Sequence, residues 1–214
     1  MRNLKRALSL LLSSTMVLGM LVMGSSAAGY QDVDASNVNQ EAIEVLQTVG
    51  IMTGDQNGNF NPDGSITRNE MAVVMAHLLN LDYDYYRGTN PFTDVPEWAA
   101  PYVAACAAEG VVAGIGNGRF DPDGSVTREQ TAVILFNYAQ SKGYDVSARA
   151  DLSVFPDAGS VSGWAQDALA WANASGLISG AVRGTQTILD PQGSASRAQV
   201  AMILMGYVEH VVNA

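Results

Sequence analysis

The sequence predicts an all-α protein built from three helix-loop-helix units that share one core. Two observations predict it. The chain repeats itself three times at a period of about sixty residues. Each copy also holds two stretches of helical apolar spacing, separated by a loop rich in Gly and Asp.

The copies align from end to end. They open with "YQDV" at Tyr30, "FTDV" at Phe92 and "FPDA" at Phe155. Next come "QEAIEVLQTVGIMTG", "APYVAACAAEGVVAG" and "AQDALAWANASGLISG". They close with "NFNPDGSITRNEMAVVM", "RFDPDGSVTREQTAVIL" and "ILDPQGSASRAQVAMIL". The expected boundaries are 1–28 for a leader, then units at 29–90, 91–153 and 154–214.

The leader comes first. Arg2, Lys5 and Arg6 precede the apolar run "ALSLLLSSTMVLGMLVM", and Ser26 and Ala28 supply the small residues that signal peptidase reads. Cleavage after Ala28 is expected; the alternative is an uncleaved membrane anchor.

Within the first unit, Ile43, Leu46 and Val49 recur at helical spacing and Gly50 follows as a stop signal. The second helix opens at Thr67 and carries Met71, Val74, Met75 and Leu78 on one face. Two such helices cannot bury their apolar faces alone, so the core is expected to be shared between units. The linkers "LDYDYYRGTNP" and "YDVSARADLSV" are polar and aromatic, suited to crossing a surface.

Removing 28 residues from 214 leaves a mature chain of 186. It keeps 8 of the 11 basic residues against all 21 acids, a formal net charge of −13. Such a chain is repelled by nucleic acid and by anionic lipid, so neither is an expected partner. The single cysteine, Cys106, sits in "VAACAAEG" and reads as a buried structural thiol rather than a reactive one. His77 and His210 lie far apart, and no Cys/His cluster suggests zinc; no metal or cofactor is expected.

The stretch "DQNGNFNPDGSITRNE" resembles a calcium loop only at first sight. From Asp55 the sixth and twelfth places should hold Gly and Glu, and they hold Phe60 and Ile66. The sister copies drift further, with Ile115 at the first acid's place in the second unit. What all copies keep is "TRNE", "TREQ" and "SRAQ", the capping box. Thr67, Thr127 and Ser196 are expected to accept a first-turn amide, while Glu70, Gln130 and Gln199 reach back.

Capping does not account for Arg68, Arg128 and Arg197, which stand at the first helical position where the dipole disfavours a cation by up to about 1 kcal/mol. An anion held jointly by each guanidinium and the helix-terminal amides is the favoured explanation; a salt bridge to a nearby acid is the alternative.

The set "FTDV…W…GVVAG…GRFDPDGSVTRE" resembles the S-layer homology (SLH) domain, and the resemblance covers the mature chain as three tandem copies. The second unit matches most fully, through Phe92, Asp94, Trp98, Gly110, Gly114 and Phe120. The first has Val38 at the tryptophan position; the third has a loop insertion and Leu189 for the Phe.

The resemblance implies a pseudo-threefold spindle whose grooves hold secondary cell-wall polysaccharide, often through a pyruvate ketal. It implies Arg68, Arg128 and Arg197 for the carboxylate. Asp32, Asp94 and Asp157, with Gly54, Gly114 and Gly180, would line the sugar contacts. Trp98 and Trp164 would stack on sugar faces or pack in the core. The groove of the second unit, with Arg128 and Trp98, is expected to be the most intact, and loss of Arg128 is not expected to harm folding.

The expected function is therefore non-catalytic attachment to the cell wall, in a secreted, cell-surface protein of the S-layer type. The partner would be a wall polysaccharide or a peptidoglycan-linked polymer, with no membrane contact once the leader is removed. Modules of this kind normally anchor cargo, and none follows Ala214, so an adaptor for another surface protein is the companion reading. A secreted hydrolase is disfavoured, because nearly every acid belongs to a repeated turn or an exposed helix face, leaving no segment for the carboxylate pair of glycoside cleavage.

Overall fold

The computed structural model describes residues 29–34 and 39–212. The leader and Val38 lie outside the described residues. No helix among those described is long and apolar enough to cross a membrane.

Each unit begins with an aromatic residue and an acid, then forms a helix that ends at a left-handed glycine. The first helices are α1 (Gln40–Thr48), α3 (Ala100–Ala108) and α5 (Gln166–Ala174). Gly50, Gly110 and Gly176 follow at φ +74°, +70° and +71°. A left-handed residue there lets the next amide turn back: Ile51 N–H donates to Leu46 O at 2.9 Å, Val111 to Cys106 at 2.9 Å, Leu177 to Ala172 at 2.8 Å.

The second helices are α2 (Arg68–Leu78), α4 (Arg128–Ser141) and α6 (Arg197–Tyr207). All carry the expected capping box. Thr67, Thr127 and Ser196 accept from the amides of Glu70, Gln130 and Gln199, whose side chains accept the cap residues' own amides.

The shared core forms in one particular way. The principal helix contacts are α2 with α3, α4 with α5, and α6 with α1, so each second helix packs on the first helix of the following unit. The third unit returns to the first, and the ring closes. At its centre Ile66 N–H donates to Ala195 O (3.2 Å), Ala195 to Val126 (2.9 Å) and Val126 back to Ile66 (3.0 Å). These three residues are buried, which ties the units around a pseudo-threefold axis by backbone bonds shielded from water.

Ile43, Leu46, Met71, Val74, Met75 and Leu78 are all buried, as the helical spacing predicts. Cys106 is buried too, its Sγ 3.3 Å from Ala72 O across the α2–α3 contact. The all-α expectation holds except for the third-unit insertion. That segment is a short hairpin of β1 (Ala181–Arg183) and β2 (Gln186–Ile188), turning at Gly184 with φ +62°.

Candidate functional site

The motif arginines do the same thing three times, and always to the next unit. Arg68 donates from Nε to Phe120 O and from Nη2 to Ala113 O, both at 2.7 Å. Arg128 donates to Leu189 O (2.9 Å) and Ser179 O (2.5 Å). Arg197 closes the ring on Phe60 O and Thr53 O, both at 2.8 Å. Arg68 and Arg197 also lie over the Phe120 and Phe60 rings, with Cζ 4.4 and 4.8 Å from the ring centres. Leu189 offers Arg128 no ring. Burial pulls the Arg68 and Arg128 guanidinium groups down from their ordinary value, although nearby acids oppose it.

This geometry corrects the sequence reading of the helix starts. The amides there are not open to an anion. At the first helical position, Arg68, Arg128 and Arg197 donate to the carbonyls of Gly124, Gly193 and Gly64 at 2.8–2.9 Å. At the second, Asn69, Glu129 and Ala198 donate to Pro122, Pro191 and Pro62 at 3.0–3.1 Å. The capping hydroxyls take the third. The proline-glycine turn of each unit thus caps its neighbour's helix, and backbone dipoles answer the charge that an ion was expected to answer.

The salt-bridge alternative fares little better. Among the described residues only Arg197 of the three has an acid in reach, Glu70 Oε1 at 3.5 Å from Nη1.

The acids at the unit starts are clamps. Asp32 accepts the amides of Phe60 (2.8 Å) and Asn61 (2.7 Å), Asp94 those of Phe120 (2.8 Å) and Asp121 (3.0 Å), and Asp157 those of Leu189 and Asp190 (both 2.8 Å). The second residue of each pair is left-handed: Asn61, Asp121 and Asp190 have φ of 57°, 59° and 52°. The carboxylate holds a turn that the backbone alone would resist. Burial pushes Asp94 up, but the amide bonds and Arg119 more than offset it and hold the group below the ordinary range.

Gly54, Gly114 and Gly180 permit a close approach. A Cβ on Gly54 would stand 2.3 Å from Asn59 O and the Tyr30 ring; one on Gly114 would stand 2.6 Å from Arg119 O and the Phe92 ring. At Gly180 the obstacles are the Thr187 methyl (2.3 Å) and the Phe155 ring (2.8 Å). These glycines bring the loop carbonyls to the arginines.

Two grooves result. One, of about 400 Å³, gathers Arg197 from the third unit, Thr53 and Gly54 from the first, and Trp98 from the second, with Glu70 and His77 on its wall. The other, of about 640 Å³, gathers Arg68 from the first unit, Ala113 and Gly114 from the second, and Trp164 from the third, with Gln130 and Asn137 on its wall. Trp98 and Trp164 are each 60% exposed, so core packing does not explain them. The third tryptophan, Trp171, is the buried one. Asp32, Asp94 and Asp157 line neither groove.

A second correction follows. Trp98 and Arg128 do not share a groove. Trp98 faces Arg197, whereas Arg128 is only 6% exposed beneath the loop that carries the hairpin. Val38, at the tryptophan position of the first unit's repeat, lies outside the described residues. Sequence reasoning also missed the groove walls. Glu70 and Gln130 look like caps only, and His77 and Asn137 stand at one repeat position whose meaning appears only in three dimensions.

Comparison with known proteins agrees with this architecture. The family model for the S-layer homology domain matches residues 30–72, 91–132 and 154–201. The chain is 31% identical over 202 residues to the surface-layer 125 kDa protein of Lysinibacillus sphaericus, covering 93% of this chain and 16% of that protein. It is 33% identical over 133 residues to the S-layer protein sap of Bacillus anthracis, covering 61% and 16%. It is also 28% identical over 215 residues to an endoglucanase of Bacillus sp. (strain KSM-635), covering 95% and 22%. The chain therefore spans about a fifth or less of the length of these relatives.

Proposed function

The chain belongs to the S-layer homology domain family, and from that premise we propose that it holds a cell-wall polysaccharide, without catalysis, in the grooves between its units. The protein is a cell-surface protein. One observation carries the finer reading: each groove joins a guanidinium already anchored by two carbonyls to a tryptophan left 60% exposed. An exposed indole offers an apolar face to a sugar ring, and the guanidinium offers charge-assisted bonds to the oxygens of a bound sugar, whether hydroxyl or carboxylate. A secondary wall polymer bearing pyruvate ketals presents both surfaces together.

The absence of catalysis is supported by how the acids are used. Asp94 and Asp157 spend both oxygens on backbone amides, whereas glycoside cleavage needs two carboxyl groups facing one bond. The endoglucanase relative shares with this chain only 22% of its own length.

The test is a pull-down on purified walls, before and after extraction of the secondary polymer, with the wild type, Trp98→Ala, Trp164→Ala and the double variant. Binding is expected to vanish on extraction and to fall with each substitution. Binding that survives extraction, or that ignores the double variant, overturns the reading.

A further inference from the structure

The two grooves differ in the charge that faces their arginine. In the Arg197 groove, Glu70 spends Oε2 on the Thr67 amide (2.8 Å) and turns Oε1 towards Arg197 Nη1 (3.5 Å). The Glu70 side chain is 41% exposed, so a ligand in the groove meets it. Asp55 lines the same groove, and so does His77, which burial shifts towards its neutral form against a hydrogen bond with the Gly50 backbone.

In the Arg68 groove the corresponding capping residue is Gln130, and Asn137 replaces His77. No carboxylate lines that groove among the described residues. The acids closest in effect to Arg68 are Asp121 and Asp94, and Asp94 is committed to the Phe120 and Asp121 amides. Arg68 therefore presents its charge to a wall of neutral amides, while Arg197 presents a charge already paired.

We propose that Glu70 is the residue that sets ligand charge, so that the Arg197–Trp98 groove takes uncharged sugar residues and the Arg68–Trp164 groove takes carboxylate-bearing ones. The inference rests on the wall-polysaccharide reading. A ligand carboxylate near Arg197 Nη1 would also stand against Glu70, a like-charge juxtaposition that costs affinity. A sugar hydroxyl suffers no such penalty, since it donates to Glu70 and accepts from Arg197 together. In the other groove the Gln130 and Asn137 amides add donors to a carboxylate that Arg68 attracts.

The exposed indoles report on the grooves separately. The Trp98 and Trp164 indole N–H resonances are followed as the full chain is titrated with native wall polysaccharide, and with the same polymer after its carboxyl groups are reduced to alcohols. Buried Trp171 is the internal reference. Glu70→Gln keeps the capping box, because Gln130 and Gln199 already make it in the other units.

In the wild type, carboxyl reduction is expected to weaken the Trp164 response by roughly tenfold or more and to leave the Trp98 response unchanged. Glu70→Gln should make the Trp98 groove prefer the native polymer, and Gln130→Glu should abolish the preference at Trp164. Equal losses at both indoles in the wild type overturn the proposal, as does Glu70→Gln without a new preference. If neither polymer moves either indole, the wall-polysaccharide reading itself falls, and this one with it.

Discussion

Trp98 and Arg197 face one groove although they belong to the second and third units, and the first unit supplies the floor between them. Trp164 and Arg68 repeat the relationship one step around the ring. A groove is thus the property of three units, not of one.

Energetic coupling should follow these pairs. In double-mutant cycles on wall binding, Trp98→Ala with Arg197→Ala, and Trp164→Ala with Arg68→Ala, should deviate from additivity by about 0.5–3 kcal/mol. Trp98→Ala with Arg68→Ala should add to within about 0.5 kcal/mol. Coupling of Trp98 to Arg68 instead would contradict the assignment of grooves.

Arg128→Ala should be a stability variant first. It removes a buried guanidinium from the carbonyls of Leu189 and Ser179 at the contact between the second and third units. The loss should be about 1.5–3 kcal/mol, lowering Tm by roughly 3–12 °C. Circular-dichroism melts would show it. An unchanged melt together with a large loss of wall binding would restore Arg128 to a direct ligand role.

Alkali should destabilise the fold in a defined window. Burial pushes the Cys106 thiol up to about 12 from 9.0 and the Tyr138 phenol up to about 12 from 10.0, and Tyr207 moves the same way. A group whose folded value is raised holds its proton longer in the folded chain. Its contribution is complete below the unfolded value and declines as pH rises towards the folded one. Stability should fall from about pH 9 to about pH 12, and at pH 8 a thiol reagent should label Cys106 only after unfolding. Rapid labelling of the native protein would contradict the buried setting.

Calcium should leave the melting temperature where it is. Asp55 gives its Oδ1 to the amides of Asn57 (2.8 Å) and Asn59 (3.0 Å), folding the loop on itself. Melts with calcium and with chelator should coincide. An upward shift that grows with calcium concentration would identify a bound ion.

What the sequence determined by itself is what short-range bonding decides. The capping boxes join residues three apart, and the glycine stops join residues five apart, so each is complete within one copy. Helical spacing placed Ile43, Leu46, Met71 and Met75 in the core, and an apolar setting placed Cys106 there. The arginines were legible as an anomaly, because a cation at a helix start needs an answer.

The answer itself was decided by the tertiary structure. Arg68, Arg128 and Arg197 could be assigned carbonyl partners only once each second helix was packed on the following unit rather than the preceding one. Three copies of one motif cannot state that direction, since the residues that make the contact recur in every unit. The same ring sense carries Trp98 away from Arg128 to Arg197 and sets Glu70, a cap by its spacing, against a guanidinium from another unit. Local hydrogen bonds are written into a repeat; which repeat faces which is settled only when the apolar faces close on one another.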